Sequence, residues 1–243
     1  MNVFSKLSWR QKCTYCAHLF KALFRQHHTA LLPILKKVIP ANGIVIDIGG
    51  HAGQFTKLFS SLSPKGHIYT FEPGTYAYSI LSKVHALKRL KNVSLFKMGA
   101  SEKNGTNVLS IPIKKSGSIG FGRSSVNGES FEKAIREEIA LTSLDSFSKQ
   151  QKISRVDFIK IDVEGHEMSV LKGAKGLLKK HSPSVMIEIN KDHLSNAQTK
   201  VADVFLFFQS LGYTYARIDE ENGTLISNDG NNFYDTDYLF YKE

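Results

Sequence analysis

Asp162, Glu164 and His166 stand at alternate positions in Ile161-Asp162-Val163-Glu164-Gly165-His166-Glu167. Glu188 and Asn190 close a second apolar run, Val185-Met186-Ile187-Glu188-Ile189-Asn190. Carboxylates beside an imidazole can move a proton. His166 is the preferred base, because its unperturbed pKa of about 6.5 leaves it largely neutral near pH 7. Glu164 or Glu188 could orient it or replace it. A hard divalent cation on Asp162, Glu164, Glu188 or His166 is the alternative; it would acidify a bound hydroxyl instead. Isolated charges are costly to bury, so their grouping points to a use. Glu167 reads as a helix N-terminal charge favoured by the dipole.

A second constellation lies in Val45-Ile46-Asp47-Ile48-Gly49-Gly50-His51-Ala52-Gly53-Gln54-Phe55-Thr56. An apolar run enters a glycine-rich turn that opens a helix. Glycines let a backbone approach a ligand where a Cβ would clash. In a dinucleotide site such a loop cradles a pyrophosphate and usually reads G-x-G-x-x-G. Here the carboxylate of Asp47 precedes the glycines and would repel a diphosphate. That order suits a cationic, amino-acid-like ligand, and S-adenosylmethionine is one. Gly50, His51 and Phe55 belong to the same expected binding turn. Glu72 follows Gly53 by 19 residues and could accept both ribose hydroxyls, although a nicotinamide nucleotide would use the same device. Ala100 and Ser101, after a third apolar run, fall where an adenine would be covered.

The elements around these residues alternate. Strands are expected at Ile44–Ile48, His67–Phe71, Val93–Lys97, Val156–Val163 and Ser184–Asn190. Helices are expected at Gly53–Ser61, Thr75–Leu90, Glu167–Lys180 and Ala197–Leu211. Such alternation predicts a parallel sheet with helices on both faces, whose strand ends collect the residues above. Tyr213–Asp219, a turn at Asn222-Gly223 and Tyr238–Lys242 read as a hairpin-like pair giving an antiparallel edge. Residues 101–145 form an insertion on the acceptor side: a strand at Thr106–Ile113, a basic Gly/Ser-rich loop, and a helix at Ser130–Ile139. Lys114, Lys115, Arg123, Ser124 and Ser125 could grip an anionic or polyhydroxyl acceptor, with Phe121 stacking on a sugar face. Residues 1–40 read as a basic helical extension before a Rossmann-like domain at 41–243.

Charge and hydropathy narrow the partners. The chain carries 32 Lys and Arg against 22 Asp and Glu, and residues 1–40 hold no acid at all. A lipid leaflet, a nucleic acid or a phosphorylated sugar carrier would complement that segment. Mean hydropathy is −0.20, and no apolar run approaches the roughly 20 residues of a membrane span. With neither a signal peptide nor enough cysteines for a disulfide framework, a cytoplasmic location is expected, with peripheral membrane contact through the basic N-terminus as an option. Cys13 and Cys16 lie inside a helical pattern, which argues against a redox pair, and too few ligands surround them for zinc. The helical N-terminus could pair two chains.

The motifs VIDIGGHAGQFT, YTFEP, NVSLFKMGAS, LTSLDSF, FIKIDVEGHEMSVLKGA and VMIEIN, between Val45 and Asn190, resemble the FkbM family of S-adenosylmethionine-dependent methyltransferases. The family commonly has Asn where this chain has His51. The resemblance implies a class I methyltransferase sheet of about seven strands. It also implies O-methyl transfer, often to a sugar hydroxyl of a polysaccharide, glycolipid or natural product. Asp47, Gly49, Gly53 and Glu72 occupy the family's cofactor motifs, and Asp162 the position facing the methionine end. Three rivals are weaker. A nucleic-acid methyltransferase would resemble an Asn/Asp-Pro-Pro-aromatic motif after the fourth strand, and an acidic floor would repel its phosphates. A dehydrogenase conflicts with the Asp-before-Gly order. A non-catalytic membrane adaptor, suggested by Phe4, Trp9, Phe20 and Phe24, would not need an intact cofactor motif.

Overall fold

The computed structural model describes residues 8–112, 125–126, 134–227 and 233–242. Helices α1 (Trp9–Phe24) and α2 (Leu32–Val38) precede strand β1 (Ile44–Ile48). Helix α3 (Gln54–Leu62), β2 (His67–Phe71), α4 (Thr75–Lys88) and β3 (Val93–Phe96) follow. The next group is β4 (Gly99–Ala100), β5 (Gly105–Pro112), β6 (Ser125–Val126) and β7 (Ala134–Thr142). The chain then runs through α5 (Leu144–Gln150), β8 (Phe158–Ile161), α6 (Glu167–Gly173), α7 (Lys175–His181) and β9 (Ser184–Ile189). Helices α8 (Lys191–Asn196) and α9 (Val201–Ser210) lead to β10 (Thr214–Asp219), β11 (Thr224–Ser227) and β12 (Thr236–Tyr241).

The main sheet has the order β11-β10-β12-β9-β8-β1-β2-β3. Its five strands from β9 to β3 are parallel, and β12 lies antiparallel between β9 and β10. This is the class I methyltransferase architecture, with one short strand beyond the seven expected. The turn at Asn222-Gly223 joins β10 to β11 rather than to β12. Both faces of the parallel strands are covered, which is why they read as near-continuous apolar runs. Ile46, Ile48, Ile159, Ile161 and Ile187 pack on one face with Val170, Leu178 and Phe208 from the helices. Val45, Phe158 and Met186 pack on the other with Leu35 of α2 and Phe59 of α3. The helices before residue 40 are thus part of the core: α1 also packs on α4 through Tyr15 and Tyr76, ring centroids 5.3 Å apart.

Three expected helices differ. The stretch Ser130–Ile139 was expected to be helical, but residues 134–142 form strand β7. It pairs with β5 from Gly105↔Leu141 to Pro112↔Ala134. The Glu-rich run favours a helix locally, yet Ile139 is buried between exposed Glu138 and Ala140, and the eight-residue pairing overrides that preference. The expected helix Glu167–Lys180 breaks at Ala174, because Asp145 caps a new start. Its carboxylate accepts from the N–H groups of Gly176 (2.9 Å) and Leu177 (2.7 Å). The expected helix Ala197–Leu211 begins only at Val201, after α8, whose N-cap Asn190 accepts from Asp192 and His193 N–H.

Candidate active site

A cavity of about 380 Å³ opens at the carboxyl ends of β1, β2, β8 and β9. It sits beside β1 and β8, where the strand order reverses, the usual ligand position in such sheets. Its glycine turn bends through three left-handed residues, Gly49 (φ +82°), His51 (φ 47°) and Gly53 (φ +84°). Gly49 and Gly50 N–H both donate to the Phe71 carbonyl, at 3.0 and 2.9 Å. A Cβ on Gly49 would run into the Asp162 carbonyl, and one on Gly50 into the Thr70 methyl. These glycines therefore admit neighbouring strand ends, not only a ligand. Asn, Asp and His are the side chains most tolerant of left-handed backbone, which explains how His51 can stand where the family has Asn.

Glu72 ends β2 and is buried. Its carboxylate accepts from His51 N–H (2.9 Å) and Gly74 N–H (2.8 Å). Burial raises its pKa to about 7 against those two bonds. A carboxylate offers about four acceptor directions, so two remain for a ligand's hydroxyls. Pro73, Gly99, Ala100, Leu109 and Leu141 supply an apolar wall beside it. Across the cavity stand Asp162, Glu164, Glu188, Glu220 and Asp237. An apolar slot with a diol acceptor at one end and carboxylates at the other fits S-adenosylmethionine: adenosine at Glu72, and the cationic methionine end toward Asp162. It does not suit a diphosphate.

Beneath the cavity a polar row crosses the sheet on the α2/α3 face. Asp47 and Lys160 are direct cross-strand partners, as are Glu188 and Asp237. Asp47 does not line the cavity. It is fully buried and accepts from the Thr56 hydroxyl at 2.7 Å. Burial raises its pKa, opposed by Lys160 and by Thr56. Lys160 donates to Asp162 at 2.7 Å and lies 4.7 Å from the centroid of the Phe55 ring. Burial disfavours its charge, but Asp162 and Asp47 outweigh burial and its pKa is raised. Asp162 keeps 35% side-chain exposure. Burial works against its charge, yet Lys160 and a hydrogen bond from Glu188 hold its pKa below the ordinary value. Burial and the Asp162 charge push Glu188 up to about 9. Burial likewise carries Asp237 to about 7. The upward direction at Glu188 favours a protonated carboxyl that donates to Asp162.

This has a consequence for stability. Folded Glu188 keeps its proton to about pH 9, whereas the unfolded residue releases it near pH 4.5. The folded state binds more protons between those values, so stability falls as pH rises through that window. We expect the Tm of the ligand-free protein to drop by a few degrees from about pH 7 to about pH 9. Glu188→Gln should flatten the drop in melts at the two pH values; an unchanged slope would assign it elsewhere.

His166 lines the cavity, and its Nε2 is 2.9 Å from the Ser101 hydroxyl. Burial lowers its pKa, so the ring is neutral at pH 7. Ser101 was expected over the adenine. It stands instead behind His166, off the cavity wall, where its hydroxyl can orient the ring. Glu164 adopts left-handed backbone (φ 50°), followed by Gly165 (φ 97°). Its carboxylate lies 3.8 Å from His193 Nε2. Glu167 stands in the first turn of α6 as expected, and it is buried there: it accepts from Gly165 N–H at 3.0 Å, with its pKa raised to about 7 by burial. Gly53 caps α3, and Asn190 caps α8. Of the turn residues, Gly49, Gly50, His51 and Phe55 line the cavity and Gly53 does not. Among the described residues no group of three or more His, Cys, Asp or Glu is arranged to hold a metal ion. Lys114, Lys115, Phe121, Arg123 and Ser124 lie outside the described residues. Ser125 contributes backbone to β6.

Lys160, Asp237, Glu220 and His28 were not anticipated. Lys160 had one signal: a lysine inside the otherwise apolar four-residue strand Phe158–Ile161. His28 stacks on Phe55, ring centroids 4.3 Å apart, and reaches the wall from the link between α1 and α2.

Sheet order, glycine turn and acidic strand ends together define a Rossmann-like, class I methyltransferase fold. The structure of Methyltransferase FkbM from Methylobacillus flagellatus KT resembles it with a TM-score of 0.53 at 16% identity, covering 96% of this chain and 59% of that one. A putative rRNA methylase from Clostridium thermocellum gives 0.51 at 11% identity, over 89% and 94%. Both are likenesses of fold. The FkbM methyltransferase domain matches residues 47–215, and the chain belongs to that family of S-adenosylmethionine-dependent methyltransferases. Methyltransferase sdnD of Sordaria araneosa is 26% identical over 179 residues, 64% of this chain and 67% of the relative. The 2-O-methyltransferase NoeI of Sinorhizobium fredii is 26% identical over 174 residues, 63% and 65%. The chain thus aligns with about two thirds of the length of these two relatives.

Proposed function

We propose that this protein methylates a hydroxyl oxygen on a sugar of a polysaccharide, glycolipid or related glycan, with His166 as general base. One observation carries the reading. A histidine kept neutral by burial, and oriented by Ser101, shares a cavity with the glycine turn and with Glu72. The relative named as a 2-O-methyltransferase supports oxygen as the acceptor atom. S-adenosylmethionine, when bound, supplies an electrophilic methyl group on a sulfonium. The chain's task is then alignment and proton removal. Glu72 fixes the ribose, and Asp162, its charge maintained by Lys160, faces the cationic end. Holding reactants in line can contribute about 7–11 kcal/mol. His166 would take the acceptor's proton as the methyl group passes from the sulfonium sulfur to the acceptor oxygen, the C–S bond breaking to leave a neutral thioether as the C–O bond forms; such a base typically adds about 10²–10⁴-fold. Exposed, unpaired Cys13 and Cys16 suit a reducing, cytoplasmic setting.

A panel of sugars, glycolipids and simple alcohols, incubated with the cofactor and read by mass spectrometry, tests the proposal. Methyl transfer confined to nitrogen, or absent from every hydroxyl offered, would overturn it. Glu72→Ala should weaken S-adenosylmethionine binding by about 10–100-fold in calorimetry, since it removes the carboxyl group proposed to accept two hydroxyls. Unaltered affinity would remove Glu72 from the site.

A further inference from the structure

We infer that the outward face of α1 docks on an anionic lipid surface. Helix α1 begins at a capping box, Ser8 with Gln11, and its inward face is anchored. Tyr15 and Ala22 are buried there. The Tyr15 hydroxyl lies 3.0 Å from Ser79 Oγ and accepts from Lys83 at 3.0 Å. The helix end is tied down as well: Lys57 donates to the carbonyls of Ala22 and Arg25. The helix is therefore held with its opposite face outward.

That opposite face is apolar. Trp9, Cys13, Cys16, Phe20 and Phe24 recur every three or four residues and are all exposed, Trp9 at 79%, Phe20 at 64% and Phe24 at 68%. Single exposed apolar side chains are ordinary, but a stripe on a rigidly held helix marks a contact surface. The Phe20 and Phe24 rings touch, with centroids 4.7 Å apart, and Lys88 of α4 lies over Phe24. The rim is basic: Arg10, Lys21 and Arg25 are exposed beside the stripe. From Ser8 to Pro40 the chain has no acidic residue.

Charge chooses the occupant. A second copy stacked on this face would oppose like charges across an apolar seam. An anionic bilayer satisfies both features, taking aromatic rings at the acyl boundary and Lys and Arg among its headgroups. Four residues after Phe24, His28 reaches the cavity wall. Docking would therefore hold the cavity near the lipid surface, where a lipid-borne acceptor would present itself.

Trp9 is the only tryptophan in the chain, so its fluorescence reports the contact directly. The full chain is titrated with vesicles of phosphatidylcholine alone, or with roughly 30% phosphatidylglycerol, at about 50 mM salt. A blue-shifted emission and co-sedimentation confined to the phosphatidylglycerol vesicles are expected. Raising salt to about 500 mM should weaken partition roughly tenfold or more. Phe20→Ser with Phe24→Ser should do the same without lowering Tm, because both side chains are exposed. Unshifted Trp9 emission with anionic vesicles overturns the inference. So does vesicle binding untouched by these substitutions. Binding only to single-stranded RNA, or self-association through this face without a vesicle response, would also overturn it. None of these readouts depends on methyl transfer.

Discussion

His166→Ala is expected to lower turnover by about 10²–10⁴-fold while leaving S-adenosylmethionine affinity unchanged. The ring sits on the cavity wall without belonging to the glycine turn or to the Glu72 end, so its loss should spare binding. Burial holds its pKa below the usual histidine value. The neutral form therefore persists to more acidic pH than in a free imidazole, and the acid limb of the kcat profile should lie correspondingly low. In the tautomer whose Nε2–H donates to the Ser101 hydroxyl, 2.9 Å away, Nδ1 is left to take the proton. Initial rates across pH 5 to 9, with the acceptor from the panel screen, read both effects. Added imidazole should restore part of the alanine variant's activity. Full turnover in that variant would assign the base elsewhere.

The second large effect concerns folding. Lys160→Met should destabilise the protein by about 3–5 kcal/mol, because it leaves Asp47 in the core, and Asp162 on the cavity wall above it, without their cation. At this chain length that corresponds to a Tm loss of about 6–20 °C. Asp47 is the more exacting partner: it is wholly buried, with one carboxylate oxygen bonded to Thr56 and the other lacking a hydrogen-bond partner among the described residues. Adding Asp47→Asn to Lys160→Met removes one stranded charge, so the double variant should recover part of the loss. Denaturant melts of the single and double variants decide it. A loss under about 1 kcal/mol would mean that the carboxylates are held neutral rather than ion-paired.

Much of the binding half of the site was legible beforehand. The glycine turn after β1, Glu72 after β2 and the acidic group after β8 each sit at the end of a short apolar run. Strand ends in a parallel sheet converge whatever the intervening loops do. The catalytic half was less legible. His166 could be nominated from its chemistry, but its neutrality follows from burial, and its partner Ser101 lies 65 residues away. Glu188 reads in the sequence as a spare base, whereas beside Asp162 its pKa is raised and its protonated form favoured. That reversal depends on two carboxyls sharing a site, which raises one pKa at the other's expense.

Local chemistry alone determined the strand–turn–helix order around the site and the glycine positions. Backbone sterics and short-range periodicity act within a few residues, so they are written in contiguous sequence. Tertiary structure decided what long-range pairing controls. Residues 134–142 became a strand because β5 offered eight partners, against a local preference for helix. Asp47 became a support beneath the cavity because register set it opposite Lys160. Asp237 joined the polar row because β12 inserts beside β9. Charge burial depends on which distant groups share the low-dielectric core, and only the assembled sheet specifies those neighbours.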